Sequence, residues 1–194
     1  MERIQAAIQK AKERRGDIEP DGSLPAAPAA FPPHEQLPGW DAAWSRLVTI
    51  RSAADLRGVT RTLHVADTGP LLDVLGADVV GTIVAVHGNP TWSYLWRRVL
   101  SQAPPGWRVV AVDQLEMGWS ERTGTTRRLQ DRITDLSLLT DALDLRGPVV
   151  TVGHDWGGII STLRRGTMTS DARMSSKRST LVSSSSSVAV RAPT

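Results

Sequence analysis

Short β-branched runs alternate with helix-length amphipathic segments through the middle of the chain, and this alternation constrains the fold more than any other feature. The stretches 47–51, 60–66, 82–87, 108–113 and 149–152 read as strands, and 91–102 and 127–145 read as helices. The first helical stretch places Trp92, Leu95, Trp96, Val99 and Leu100 at i, i+3, i+4, i+7 and i+8, one apolar stripe. The second places Leu129, Ile133, Leu136, Leu139 and Leu143 on one side. Strands alternating with such helices predict βαβ units: fold class α/β, a mostly parallel sheet flanked by helices.

Composition divides the 194 residues into four zones. Residues 1–15 read as a short helix, with Ile4, Ala7, Ile8 and Ala11 on one face. Residues 16–38 hold six prolines and read as an extended linker. Residues 39–161 carry the α/β pattern. Residues 162–194 hold nine Ser and five Thr with little apolar periodicity, so this tail is expected to be disordered. The net charge of +3 belongs to that tail, where six basic residues face Asp171 alone. The rest of the chain is mildly acidic. A basic tail raises one alternative, a non-enzymatic binder of anionic partners, but without an aromatic to stack on bases the tail makes nucleic acid an unfavoured partner. There is no Cys, which excludes disulfides, a thiolate nucleophile and zinc fingers. No apolar run reaches membrane-spanning length and no His/carboxylate cluster has metal-ligand spacing, so neither a membrane span nor a metal is expected. A cytoplasmic setting is compatible with all of this.

Gly153-His154-Asp155-Trp156-Gly157 follows a predicted strand and opens a predicted helix. This is the context of a nucleophile elbow, G-x-Nu-x-G, with Asp as the nucleophile. A turn that tight leaves no room for a Cβ at its flanks, and it lifts the central side chain to the sheet edge. There the next backbone N–H can face developing negative charge. His87-Gly88-Asn89-Pro90 sits in the same strand-to-helix context earlier in the chain.

Taken together, H-G-N-P-T-W-S-Y-L-W-R at 87–97, D-x-x-x-M-G-x-S at 113–120 and G-H-D-W-G-G at 153–158 resemble the haloalkane dehalogenase branch of the α/β-hydrolases. The resemblance extends to β-lactone decarboxylases and epoxide hydrolases, and runs from about Arg46 to Ser161. It implies that Asp155 attacks carbon and forms a covalent ester. It implies that the backbone N–H groups of Asn89 and Trp156 line an oxyanion hole, while the Asn89 amide and Trp156 indole hold the leaving halide or oxygen anion. The implied substrate is small and hydrophobic, a haloalkane, epoxide or β-lactone, and no cofactor is implied.

The remaining polar residues have plainer readings. His154 reads as a strand-end packing residue, His87 as a fixture of the oxyanion loop, and Asp113 as an anchor for the loop after its strand. Asp131 and Asp135 read as a solvated helix face. The resemblance also asks for a His and a carboxylate late in the chain, to activate the water that hydrolyses the ester. The four His are 34, 64, 87 and 154, and Asp171 is the one acid after Asp155. The expectation is therefore a fold cut short after the elbow, without its cap and last core strands and inactive for want of the walls of its pocket, with Val149–Val152 on an open sheet edge. Glu116 stands where the resembled family has Gly.

Overall fold

The computed structural model describes residues 26–52, 55, 59–163, 179–184 and 188–193, the last two stretches by their backbone. The expected helix at 1–15 and the first part of the proline-rich segment lie outside the described residues. So do five of the tail's six basic residues; Arg191 is in a described strand.

Elements follow one another as β1 (Ser45–Arg51), β2 (Thr60–Asp67), α1 (Gly69–Val74), β3 (Gly81–Val86), a 3-10 turn (Ser93–Trp96) running into α2 (Arg97–Ser101), β4 (Trp107–Val112), α3 (Leu129–Ala142), β5 (Val149–His154), α4 (Trp156–Leu163), β6 (Ser179–Ser184) and β7 (Val188–Pro193). They form one sheet in the order β1-β2-β4-β3-β5-β7-β6. The expected mostly parallel sheet is instead mixed. Parallel pairing is confined to β4-β3-β5, and β1, β2, β6 and β7 all pair antiparallel.

Period-two alternation sorts the side chains of the central strands onto two covered faces. Val84, Val86, Val110 and Val112 face α3 and α4, packing with Leu115, Ile133, Leu136, Leu139 and Ile160. Ala85, Val109 and Ala111 face the other way, against Trp40, Trp44, Trp96 and Leu100. Both faces of the central strands are therefore dry, which is why those strands read as near-continuous apolar runs.

Three expectations change. The helix foreseen over 91–102 begins as a 3-10 turn, because the Ser93 N–H is drawn 2.6 Å from the Asp113 carboxylate across the chain rather than into a regular helical start. Asp135 is not on a solvated face but buried, accepting from Ser52 Oγ at 2.8 Å and Arg127 Nη1 at 2.9 Å. Its neighbour Asp131 accepts from the Arg128 N–H and closes the first turn of α3. Finally, the edge of β5 is not open. β7 pairs with it from Thr151↔Arg191 to His154↔Val188, and β6 pairs with β7, where a disordered tail was expected. The apolar residues at 181–182, 188 and 190 are strand formers, and the free ladder of β5 supplies their hydrogen-bonding template. The segment 26–38 is tied down as well, by the Ala27↔Arg122 bridge and an Ala30 N–H to Trp119 carbonyl bond of 3.0 Å.

Candidate active site

The site is built at the carboxyl ends of two neighbouring parallel strands. β3 and β5 pair in register with Val86 opposite Gly153, so the turn after each strand emerges beside the other. Asp155, the residue after β5, has φ of +53° and is exposed at the tip of a sharp turn. The turn closes when the Gly158 N–H donates to the Asp155 carbonyl at 2.9 Å. Gly157 cannot be larger: a Cβ there would lie 2.1 Å from the Val86 carbonyl oxygen. Gly88 is equally constrained, since its Cβ would lie 2.5 Å from both Cβ and Oδ2 of Asp155.

This close approach brings the Asn89 N–H within 3.1 Å of Asp155 Oδ2, across 66 positions of sequence. The Trp156 N–H and the Asn89 N–H together hold the Asp155 carboxyl below its ordinary pKa, so it stands as a carboxylate that both amides favour. The three residues singled out from sequence are thus brought together. The Trp156 side chain is half exposed and Asn89 is exposed, so both face the solvent side of the turn.

Buried polar residues hold the 87–90 loop in place. The His87 Nδ1–H points at the Gly88 carbonyl oxygen at 2.8 Å, and His87 Nε2 accepts from the Gln114 N–H at 3.1 Å. The Gln114 amide returns a 2.7 Å bond to the His87 carbonyl. Burial pushes the His87 pKa down, which suits a ring that must be neutral to make both bonds. Asp113 is fully buried and accepts from the N–H groups of Ser93 (2.6 Å) and Trp119 (2.9 Å) and faces His64 Nδ1 at 3.0 Å. Burial alone would raise its pKa, but the hydrogen bonds from His64 and from the Trp119 N–H hold it low. Glu116 has φ of +71°, a left-handed backbone that explains why Gly is expected at this position; its carboxylate accepts from the Thr123 N–H at 2.9 Å. His154 is half-buried and its Nδ1 has no hydrogen-bond partner.

Gln114 was not foreseen as part of the site. Its signal was slight: it directly follows Asp113 at the carboxyl end of β4, the strand next to β3. Among the described residues no cluster of three or more His, Asp or Glu could hold a metal, and no helix is long and apolar enough to cross a membrane.

The tight strand–turn–helix at 153–158 on a parallel strand pair, with the 87–90 turn on the adjoining strand, is the arrangement of an α/β-hydrolase fold; the family of that description matches residues 81–163. The described core is part of that fold, and its relatives include both haloalkane dehalogenases and β-lactone decarboxylases. A cis-3-alkyl-4-alkyloxetan-2-one decarboxylase of Xanthomonas campestris is 36% identical over 86 residues, which cover 40% of this chain and 29% of the relative. A haloalkane dehalogenase of Mesorhizobium japonicum is 37% identical over 76 residues, covering 39% and 24%. The solved structure of a haloalkane dehalogenase from Agrobacterium tumefaciens C58 aligns with a TM-score of 0.46 at 27% identity, over 60% of this chain and 34% of the other. The chain thus spans between about a quarter and a third of the length of these relatives.

Proposed function

We propose that Asp155 is a carboxylate nucleophile that opens a polarised bond at carbon in a small hydrophobic substrate. In a haloalkane, an Asp155 oxygen forms a bond to carbon as the carbon–halogen bond breaks and halide leaves with the electron pair. In a β-lactone or epoxide the ring oxygen takes the place of the halide. The product on the protein is an ester at Asp155. The Asn89 and Trp156 N–H groups hold the oxygen that does not attack, and the Asn89 amide and Trp156 indole N–H receive the leaving anion. Neutral donors suit this task, since they stabilise an anion without neutralising the carboxylate. The observation that carries the reading is the 3.1 Å bond from the Asn89 N–H to Asp155 Oδ2 at the tip of the elbow. The relatives, which act on haloalkanes or oxetan-2-ones, support the substrate class.

Ester hydrolysis needs a base aimed at the ester carbonyl. His64 and His87 are buried and engaged elsewhere, and among the described residues no His side chain is hydrogen-bonded to the Asp155 carboxylate. The described residues therefore account for formation of the ester and not for its hydrolysis, and a single alkylation is the expected outcome. Incubation with an alkyl bromide, read by intact mass and bromide release, tests this. The expected outcome is one alkyl group per chain, mapped to Asp155 and lost in Asp155→Asn. Labelling that persists in Asp155→Asn would refute the nucleophile, and bromide release beyond one equivalent would refute the single turnover.

A further inference from the structure

A second constellation lies across β1, β2 and β4, away from Asp155. Ser45 opens β1, His64 lies in β2 and Asp113 follows β4, three neighbouring strands in the sheet. The β1–β2 register sets Leu47 opposite His64, so Ser45 is its diagonal neighbour, and the Asp113 N–H donates to the His64 carbonyl at 3.0 Å. Through this frame Ser45 Oγ stands 3.1 Å from His64 Nε2, and His64 Nδ1 stands 3.0 Å from Asp113 Oδ2.

Each bond direction is determined by its neighbours. Asp113 is fully buried and its two oxygens already accept from the Ser93 and Trp119 N–H groups, which favour the ionised form. A carboxylate can only accept, so His64 Nδ1 carries a proton, and in the neutral ring Nε2 presents its lone pair to Ser45. The Ser45 hydroxyl then donates to Nε2 and accepts a 3.3 Å bond from the Trp40 indole N–H. The Trp40 ring stacks on His64 at a centroid distance of 6.2 Å and shields the relay.

We propose that Ser45, His64 and Asp113 form a nucleophilic serine site, which takes an acyl or sulfonyl group from a small activated aryl compound. The order nucleophile, base, orienting carboxylate is met at hydrogen-bond distance at both joints, and convergent sites of this kind are defined by geometry rather than chain position. Ser45 Oγ bonds to the electrophilic centre, its proton passes to His64 Nε2, and the leaving group departs with the electrons of the broken bond. The Trp40 N–H bond to Ser45 Oγ fixes the hydroxyl beside His64 Nε2. An open groove of about 470 Å³ is walled by Trp40, Trp44, His34 and Glu35, and Trp40 is the residue it shares with the Ser45 relay. Ser45 itself is half-buried, within reach of a small reagent.

Phenylmethanesulfonyl fluoride is the probe: sulfonylation of Ser45 releases fluoride and leaves a stable ester. Ser101 is the internal reference, an exposed hydroxyl bonded to the Arg98 carbonyl alone. Peptide mapping of the native protein is expected to find Ser45 modified about 100-fold faster than Ser101, the scale of general-base assistance. The advantage should vanish in urea, where the relay is dismantled. In Ser45→Ala one equivalent of fluoride release should be lost with the fold intact by circular dichroism. Native labelling of Ser45 no faster than that of Ser101, or an equal advantage in urea, would overturn the proposal.

Discussion

His87 carries the 87–90 loop on a ring that works in one protonation state. With Nδ1–H on the Gly88 carbonyl and Nε2 accepting from Gln114, a second proton would set two donors against each other at 3.1 Å. Its pKa lies below the ordinary value of 6.5 because the ring is buried. The unfolded chain then takes up a proton at His87 before the folded chain does, so stability falls as pH drops below the ordinary value toward the folded one. Urea midpoints should decline between about pH 7.5 and pH 5.5, and the decline should flatten in His87→Asn. An unchanged pH slope in that variant would assign the effect to another group. The roles of His87 and Asp113 were legible because each abuts a motif with a known turn. Ser45 and Gln114 were not, since their partners are chosen by strand register and by the crossing of loops, which local spacing does not encode.

The α3 helix shows how far an element's environment departs from its own pattern. An Asp pair one turn apart reads as a wet face, yet Asp135 meets Arg127 from the preceding loop and Ser52 from the end of β1. Arg127 is buried too, and its other amino group reaches Asp55 at 2.7 Å. Burial holds the Asp135 carboxyl above the ordinary range, so this site favours acid and the Asp135 contribution weakens as pH rises through its folded pKa. Arg127→Ala should cost about 3–5 kcal/mol by urea unfolding, because it strands a buried carboxylate. Arg127→Met with Asp135→Leu should recover most of that loss, as apolar replacement of buried pairs often does. If the double variant were no better than the single one, the pair would matter for more than charge balance. The existence and order of the central strands were legible from β-branched runs bounded by Gly and Pro. Helix boundaries were not, because long-range hydrogen bonds such as Asp113 to Ser93 reset where a helix begins.

At the scale of the whole sheet, the tail's pairing changes what β5 presents to other molecules. β7 occupies the ladder of β5, and β6 becomes the outermost strand. A chain ending after Leu163 would leave the β-branched β5 without its outer neighbour, a ready template for strand addition. Size-exclusion chromatography should show that variant as larger species at concentrations where the full chain runs as one; a monomer of undiminished stability would mean that β5 needs no cover. Sequence could not anticipate the hairpin, since a Ser-rich stretch with four scattered apolar positions acquires strand character only from a free edge. The in-register pairing of β3 and β5 has a consequence for descent as well. Two adjoining strands and the turns that cap them already contain the Gly88–Asp155 contact and both amides that face the carboxylate. The chain between them can lengthen, shorten or exchange its helices without moving those atoms apart. A descendant chain that keeps this register keeps those atoms together.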